Sequence, residues 1–310
     1  MHDESTLPPQ ELAIHLHPKD IIIMQKSSSN IRLLHYWLLG SLLLITTNTT
    51  HALSREPHAP TAAAPSSIAG SDIVLQIENA VTNYTSGFPY KGAVVVNYKK
   101  DGTFSAQGYG TMKGNVDANQ QTYAGTYHYS RTGFNTATEK AIDTSLQKPY
   151  TTKYIFETET SGKWEQNFDN GQILYTGSFT IVPHNPQTNN QFAPTNISGL
   201  TVALLITDAT STQLPPDVYG KRGFAMQSYL PNGTMTIKGF GKKMLDSTGT
   251  YTYTKISANI AVEEVMQTSN LFVWPYTMVY TFDTPTSGTW FQNLGDGILK
   301  FHGTFETVEN

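Results

Sequence analysis

The chain has 310 residues and no cysteine. That absence excludes a disulfide framework, a thiol nucleophile and a thiolate-bound metal. Positive charge is scarce as well. Lysine and arginine together number 20 against 24 aspartates and glutamates, a formal net charge of −4. The basic residues form no stripe, so a nucleic-acid partner has no electrostatic footprint. No apolar run reaches the ~20 residues that a membrane-spanning helix needs. Leu33 to Ile45 (LLHYWLLGSLLLI) has 13 residues. Chemical signatures are missing too. There is no Gly-x-Ser-x-Gly elbow. Gly108-Tyr109-Gly110 is not followed by a helix pattern, so a phosphate-binding reading is very weak.

What stands in the first 52 residues is a leader. Lys26 and Arg32 precede the short apolar run, and Thr50-His51-Ala52 follows it with small residues where a signal peptidase reads. This is the layout of a secretory signal peptide cleaved near Ala52. Read from Met24 the segment has ordinary proportions, so Met24 is the expected start; the alternative is a long N-terminal region. His15 and His17 fall in this leader and receive no metal role. Residues 53–64 are rich in Pro and Ala and read as a flexible tether. Without residues 1–52, 17 basic and 20 acidic residues remain. An exported chain without disulfides points to a bacterial protein of the periplasm, outer surface or medium.

The rest of the chain is a duplication. Tyr150 to Val182 and Tyr276 to Val308 align without a gap, and 15 of the 33 positions are identical. The match continues backwards. Gly125 to Tyr129 (GTYHY) corresponds to Gly249 to Tyr253 (GTYTY), and Asp101 to Gly110 to Asn232 to Gly241. Ala64 to Gly70 (APSSIAG) corresponds to Ala193 to Gly199 (APTNISG). Two domains follow, 65–182 and 194–308, joined by a Pro- and Asn-rich linker at 183–193. Each is long enough to close its own core.

Thr, Tyr, Val and Gly with frequent turn signals give an all-β profile. Ser71 to Val81 also fits an amphipathic helix. Its counterpart, Leu200 to Ala209, is richer in β-branched residues, so both are read as strands. Eight strands are expected per copy, near 72–78, 92–98, 102–109, 123–129, 136–143, 150–157, 162–167 and 172–181. In the second copy they lie near 200–206, 222–229, 233–240, 249–255, 260–266, 276–283, 288–293 and 298–307. Asp101-Gly102 and Asn232-Gly233 read as type I′ hairpin turns. Ser161-Gly162 with Ser287-Gly288, and Asn170-Gly171 with Asp296-Gly297, mark two more turns. Serial hairpins make an antiparallel meander, and eight strands close most easily into an up-and-down barrel. A pair of β-sandwiches is the alternative.

Alternation places Ile173, Tyr175, Gly177, Phe179 and Ile181 on one face. Trp164 and Trp290 follow the Ser-Gly pairs. The interior is therefore aromatic and carries hydroxyls. Two readings stand. One is a packed core whose tyrosines find internal partners. The other is a cavity for one small apolar ligand, lined by Trp164, Gln166, Tyr129 and Tyr154 in the first copy and Trp290, Gln292, Tyr253 and Tyr280 in the second. Exposed tryptophan platforms for sugars are disfavoured by the alternation. Glu157 and Asp283 lie on the polar strand face and read as solvated. Glu263 and Glu264 fall on opposite faces of one strand and so cannot act together. No histidine is shared between the copies, since His128 corresponds to Thr252 and His302 to Thr176. No metal site, cofactor or catalytic group is expected.

The ordered signature is Pro-x-x-Ile-x-Gly, Asp/Asn-Gly-Thr, Gly-Thr-Tyr-x-Tyr, Ser-Gly-x-Trp and Gly-x-Phe. It resembles β-repeat modules of exported bacterial proteins, and a lipocalin-like barrel is compatible with it. The best match is Ile197 to Gly199, Gly249 to Ala261 (GTYTYTKISANIA), Ser287 to Trp290 and Gly303 to Phe305. The resemblance implies a fold and export but no activity. The first copy departs from it at His128, Arg131 and a longer loop at Thr111 to Thr122, the expected place for partner specificity. The expectation is a non-catalytic surface or periplasmic module whose partner is a small apolar ligand or another envelope protein. The alternatives are a lipocalin-like carrier and a barrel-cavity isomerase or lyase.

Overall fold

Hairpins in series wind into two closed barrels. The computed structural model describes residues 62–84, 88–89, 91–110, 121–183, 191–211, 213–295 and 297–309. The leader, most of the tether, linker residues 184–190 and loop residues 111–120 lie outside them. The first barrel comprises β1 (Ser71–Thr82), β2 (Gly92–Tyr98), β3 (Thr103–Tyr109), β4 (Gln121–Arg131), β5 (Thr136–Asp143), β6 (Lys148–Phe156), β7 (Ser161–Phe168) and β8 (Ile173–Pro183). The second comprises β9 (Leu200–Thr210), β10 (Gly223–Tyr229), β11 (Thr234–Phe240), β12 (Ser247–Lys255), β13 (Ile260–Thr268), β14 (Val273–Phe282), β15 (Ser287–Leu294) and β16 (Leu299–Glu309). Neighbours pair antiparallel, and β1–β8 and β9–β16 close the two barrels. Closure, not sandwich packing, removes the sheet edges. No helix among the described residues is long and apolar enough to cross a membrane.

The shared motifs serve this closure. β1 carries a bulge at Glu78, and β9 carries the same bulge at Thr207. Opposite them, Gly177 and Gly303 let the strands approach so closely that a Cβ would stand 1.7 Å from the carbonyl oxygens of Gln76 and Leu205. The indoles of Trp164 and Trp290 lie over those glycines and donate to backbone carbonyls, Trp164 to Gln76 and Ser178, Trp290 to Thr304. The Ser-Gly-x-Trp and Gly-x-Phe motifs are thus one packing unit spread over two strands.

The Pro-x-x-Ile-x-Gly motif caps one end of each barrel. Ile68 and Ile197 are buried there. Tyr129 donates to the Pro65 carbonyl at 3.2 Å, and Tyr253 to the Pro194 carbonyl at 3.3 Å. Ala62 and Ala64, read from sequence as tether, are buried, and Ala64 N bonds to the Phe134 carbonyl. The first domain therefore holds its core from residue 62 onward.

Two turn assignments differ in detail. At Asp101-Gly102 only the glycine has positive φ, and Lys99 N bonds to the Thr103 carbonyl across a three-residue loop. The Asp101 carboxylate takes up the Thr103 N–H, which fixes this loop in place of a type I′ turn. Ser161 and Ser287 open β7 and β15, and the turns precede them at 157–160 and 283–286.

Residues 57–310 form one compact unit. Val74, Ala93, Val95, Tyr109 and Val182 on the outside of the first barrel pack on Ile260, Val262 and Val279 of the second. Burial of each aliphatic side chain is worth roughly 1.5–3 kcal/mol. Gly110 N bonds to Glu264 Oε1 at 3.2 Å across the same junction. This contact explains the helix-like reading of Ser71 to Val81. Asp72 to Ile77 are buried on both faces, one inside the barrel and one against its twin, so the period of two is masked.

Candidate functional site

The centre of each barrel holds a buried glutamate. β5 turns Ala137, Glu139 and Ala141 inward, and β13 turns Ala261, Glu263 and Val265 inward. Both glutamates have zero exposure. A lone carboxylate in such a place is strongly disfavoured. Tyrosines answer it. Tyr98 and Tyr154 donate to Glu139 Oε2 at 2.8 Å each, and Tyr150 to Glu139 Oε1 at 3.0 Å. In the second barrel Tyr229 and Tyr280 donate to Glu263 Oε2 at 2.8 and 3.0 Å, and Tyr276 to Glu263 Oε1 at 3.3 Å. The duplicated strands deliver the same four side chains to the same place twice.

The polar surroundings differ at one position. Gln227 occupies the position that Val96 holds in the first barrel. Its Oε1 lies 2.7 Å from the Tyr229 hydroxyl, a second acceptor beside Glu263 Oε2 for that one proton, and its Nε2 donates to the Tyr276 hydroxyl at 3.2 Å. Tyr127 and Tyr251 pack edge-on against Tyr98 and Tyr229, with centroids 4.7 and 4.9 Å apart. Phe179 and Phe305 stand edge-on to Tyr154 and Tyr280 at 5.1 Å.

Electrostatics follow from burial. Desolvation pushes the Glu263 carboxyl up to about 7, while the three tyrosine hydroxyls pull it down. Glu139 is shifted upward for the same reasons. Burial first, and the nearby carboxylate second, push Tyr98 and Tyr229 well above the usual tyrosine range, so both stay protonated donors. A buried acid with raised proton affinity is the mark of many general acids and bases. Here the geometry argues otherwise. Every oxygen of Glu263 already accepts from protein, and aromatic rings enclose the group.

Sequence reasoning set these two glutamates aside. Glu139 carries no mark in the sequence, and Glu263 reads there only as half of an unproductive pair with Glu264. The signal was present: each lies ten residues beyond the second tyrosine of its Gly-Thr-Tyr-x-Tyr motif. Identity between the copies thins out along that strand, which hid it.

The residues singled out from sequence have separate places. Tyr154 and Tyr280 belong to the glutamate clusters. Tyr129 and Tyr253 anchor the capping segments. Trp164 and Trp290 fill the closures over the glycines, 2% and 3% exposed, so neither is a surface platform. Gln166 donates to Thr152 at 3.0 Å, and Gln292 is buried. Glu263 and Glu264 do point to opposite faces, one inward and one to the Gly110 N–H. Among the described residues no group of three or more His, Asp or Glu is placed to hold a metal ion.

The first barrel contains a cavity of about 90 Å³, lined in part by Phe88, Phe104, Tyr150, Trp164, Gln166 and Tyr175. That volume is well under the ~300 Å³ of ordinary small-molecule sites. The corresponding end of the second barrel is packed by Leu214, Val218, Tyr219, Met244, Phe272 and Trp274. No protein-family model matches the chain, and no curated protein matches it.

Stability should report the buried acid. The folded chain keeps a proton on Glu263 that the unfolded chain releases at its ordinary value of 4.5. The contribution is therefore complete below pH 4.5 and is lost as pH rises through about 7. We expect the difference in unfolding free energy between the parent chain and Glu263→Gln to shift by about 3 kcal/mol over that window, the parent weakening at the alkaline side. Urea titrations of both chains between pH 4 and 9 check this; parallel curves would contradict it.

Proposed function

We propose that the chain is a non-catalytic, exported bacterial protein that acts as a binding or structural module. One observation carries the reading. The perturbed acid at each centre is sealed by three tyrosines, and the cavity that reaches Tyr150 of the first cluster is only about 90 Å³, so the acid reads as part of a structural core. Duplication supports this, because both barrels keep the cluster whether or not a cavity lies beside it. The signal-peptide layout of residues 24–52 supports export, and an exported chain without cysteine points to a bacterial source. The cavity of the first barrel favours one second reading, a carrier for a very small apolar molecule.

Native mass spectrometry of the chain expressed with its leader in a bacterial periplasm tests both. The expected result is a mature chain beginning near Leu53 with no stoichiometric adduct. A one-to-one small-molecule adduct that leaves on unfolding would replace the module reading with the carrier. An uncleaved leader would contradict export.

A further inference from the structure

A second space, larger than the cavity of the first barrel, lies between the two barrels. It is a cleft of about 690 Å³ between their outer walls. Its volume falls within the ~300–1,000 Å³ of small-molecule sites. Two cross-strand rows of the second barrel form much of its floor. In one row Thr281, Thr289 and Thr304 stand side by side on β14, β15 and β16. In the next row Val279, Phe291, His302 and Asp208 follow one another across β14, β15, β16 and β9. Strands lie about 4.8 Å apart, so the threonines form a ladder of evenly spaced hydroxyls. Asp283 extends the polar edge, and Thr180 faces it from the first barrel.

The duplication serves as an internal control. The equivalents of the threonine row in the first barrel are Ile155, Lys163 and Ser178, and those of Val279, Phe291 and His302 are Lys153, Glu165 and Thr176. The fold closes with either set, so it does not demand the hydroxyl ladder. The inner residues of the copies agree while this outer wall differs, and it differs where the cleft lies. Val279 is accounted for by the junction with the first barrel. The threonine ladder and Asp208, which stands where the first copy has Asn79, are not; Asp283 keeps the acid that the first copy carries as Glu157.

We propose that this cleft binds a neutral, polyhydroxylated chain, an oligosaccharide. The inference rests on the binding-module reading and names its ligand class. No lysine or arginine is found among the described residues lining the cleft, which disfavours an anion. Hydroxyls outnumber charges there, which favours a partner that both donates and accepts. Asp208 and Asp283 supply acceptors for charge-assisted bonds from sugar hydroxyls. Asp208 Oδ2 lies 3.6 Å from His302 Nε2, and the Asp208 side chain is 61% exposed.

Calorimetric titration of the mature full chain with cellohexaose, xylohexaose, maltohexaose and chitohexaose tests this, with hexalysine as the charged comparison. Two variants report on place. Thr289→Lys installs the residue the first barrel already carries at Lys163, and Asp283→Asn removes one charged acceptor. The expected result is saturable binding of at least one hexasaccharide, weakened about tenfold or more by each variant with an unchanged melting temperature. If Thr289→Lys lowers that temperature, Asp283→Asn decides alone. Binding of no hexasaccharide by the folded chain, binding indifferent to both variants, or binding of hexalysine alone would overturn the proposal. Those failures leave the module reading standing. Cleavage of a bound hexasaccharide, seen by chromatography of the same samples, would instead overturn the non-catalytic reading while supporting occupancy of the cleft.

Discussion

Glu263→Ala is expected to destabilise the chain by about 4 kcal/mol or more at pH 5, enough to bring a domain of ordinary stability close to unfolding. Three tyrosine hydroxyls are hydrogen-bonded to this carboxyl group, and all three rings are buried. Alanine leaves them facing a void. Each orphaned hydroxyl costs roughly 1–3 kcal/mol, and the unfilled space adds a cavity term. Gln227 rescues only part of the loss: its Oε1 lies within reach of the Tyr229 and Tyr280 hydroxyls, at 2.7 and 3.3 Å, but offers the Tyr276 hydroxyl a donor and not an acceptor. The first barrel has Val96 at that position and no such reserve, so Glu139→Ala should cost at least as much. Urea unfolding followed by tryptophan fluorescence reads both. A loss below about 1 kcal/mol in either variant would mean that water enters and satisfies the tyrosines.

Gly303→Ala and Gly177→Ala should fail to yield folded protein. The added methyl would stand 1.7 Å from a carbonyl oxygen of the neighbouring strand in each case. It would also press on the indole nitrogen, at 3.1 Å for Trp290 and 2.8 Å for Trp164. Neither obstacle is a flexible side-chain end. Both belong to the strand pair that closes the barrel, so relief means opening β1–β8 or β9–β16. Gly199→Ala is the matched control. Its φ is +82, and nothing lies within 4 Å of its added carbon. That change carries only the backbone penalty of about 1–2 kcal/mol. Soluble yield and circular dichroism of the three variants check the contrast. Folded Gly303→Ala would show that the bulge at Thr207 can slide.

The barrels were legible in the sequence because the repeat could be read against itself. Where one copy was ambiguous, as at Ser71 to Val81, the other decided. Turn residues at Asp101-Gly102 and Asn232-Gly233 placed the hairpins, although the loop type differed. The glutamate clusters were not legible, for a physical reason. A single acid among alanines and valines carries no sign of which face it takes, and an inward acid is improbable until its three tyrosines are seen to converge. Those tyrosines come from β2, β6, β10 and β14, far apart in the chain. The cleft was illegible for a different reason. It depends on how two outer walls meet, and the apolar outer residues Val95 and Val262 looked like ordinary strand residues. The loop at Thr111 to Thr122, picked as the seat of specificity, lies mostly outside the described residues.

Titration of glutamate side-chain carboxyl carbons by NMR tests the account most directly. It predicts that the two core glutamates keep their protons beyond the ordinary 4.5, Glu263 to near 7, each assigned by loss of signal in Glu139→Gln or Glu263→Gln. If both instead titrate with the surface glutamates, the carboxylates meet water, the barrels are open at their centres, and the reading of two sealed, non-catalytic clusters is wrong.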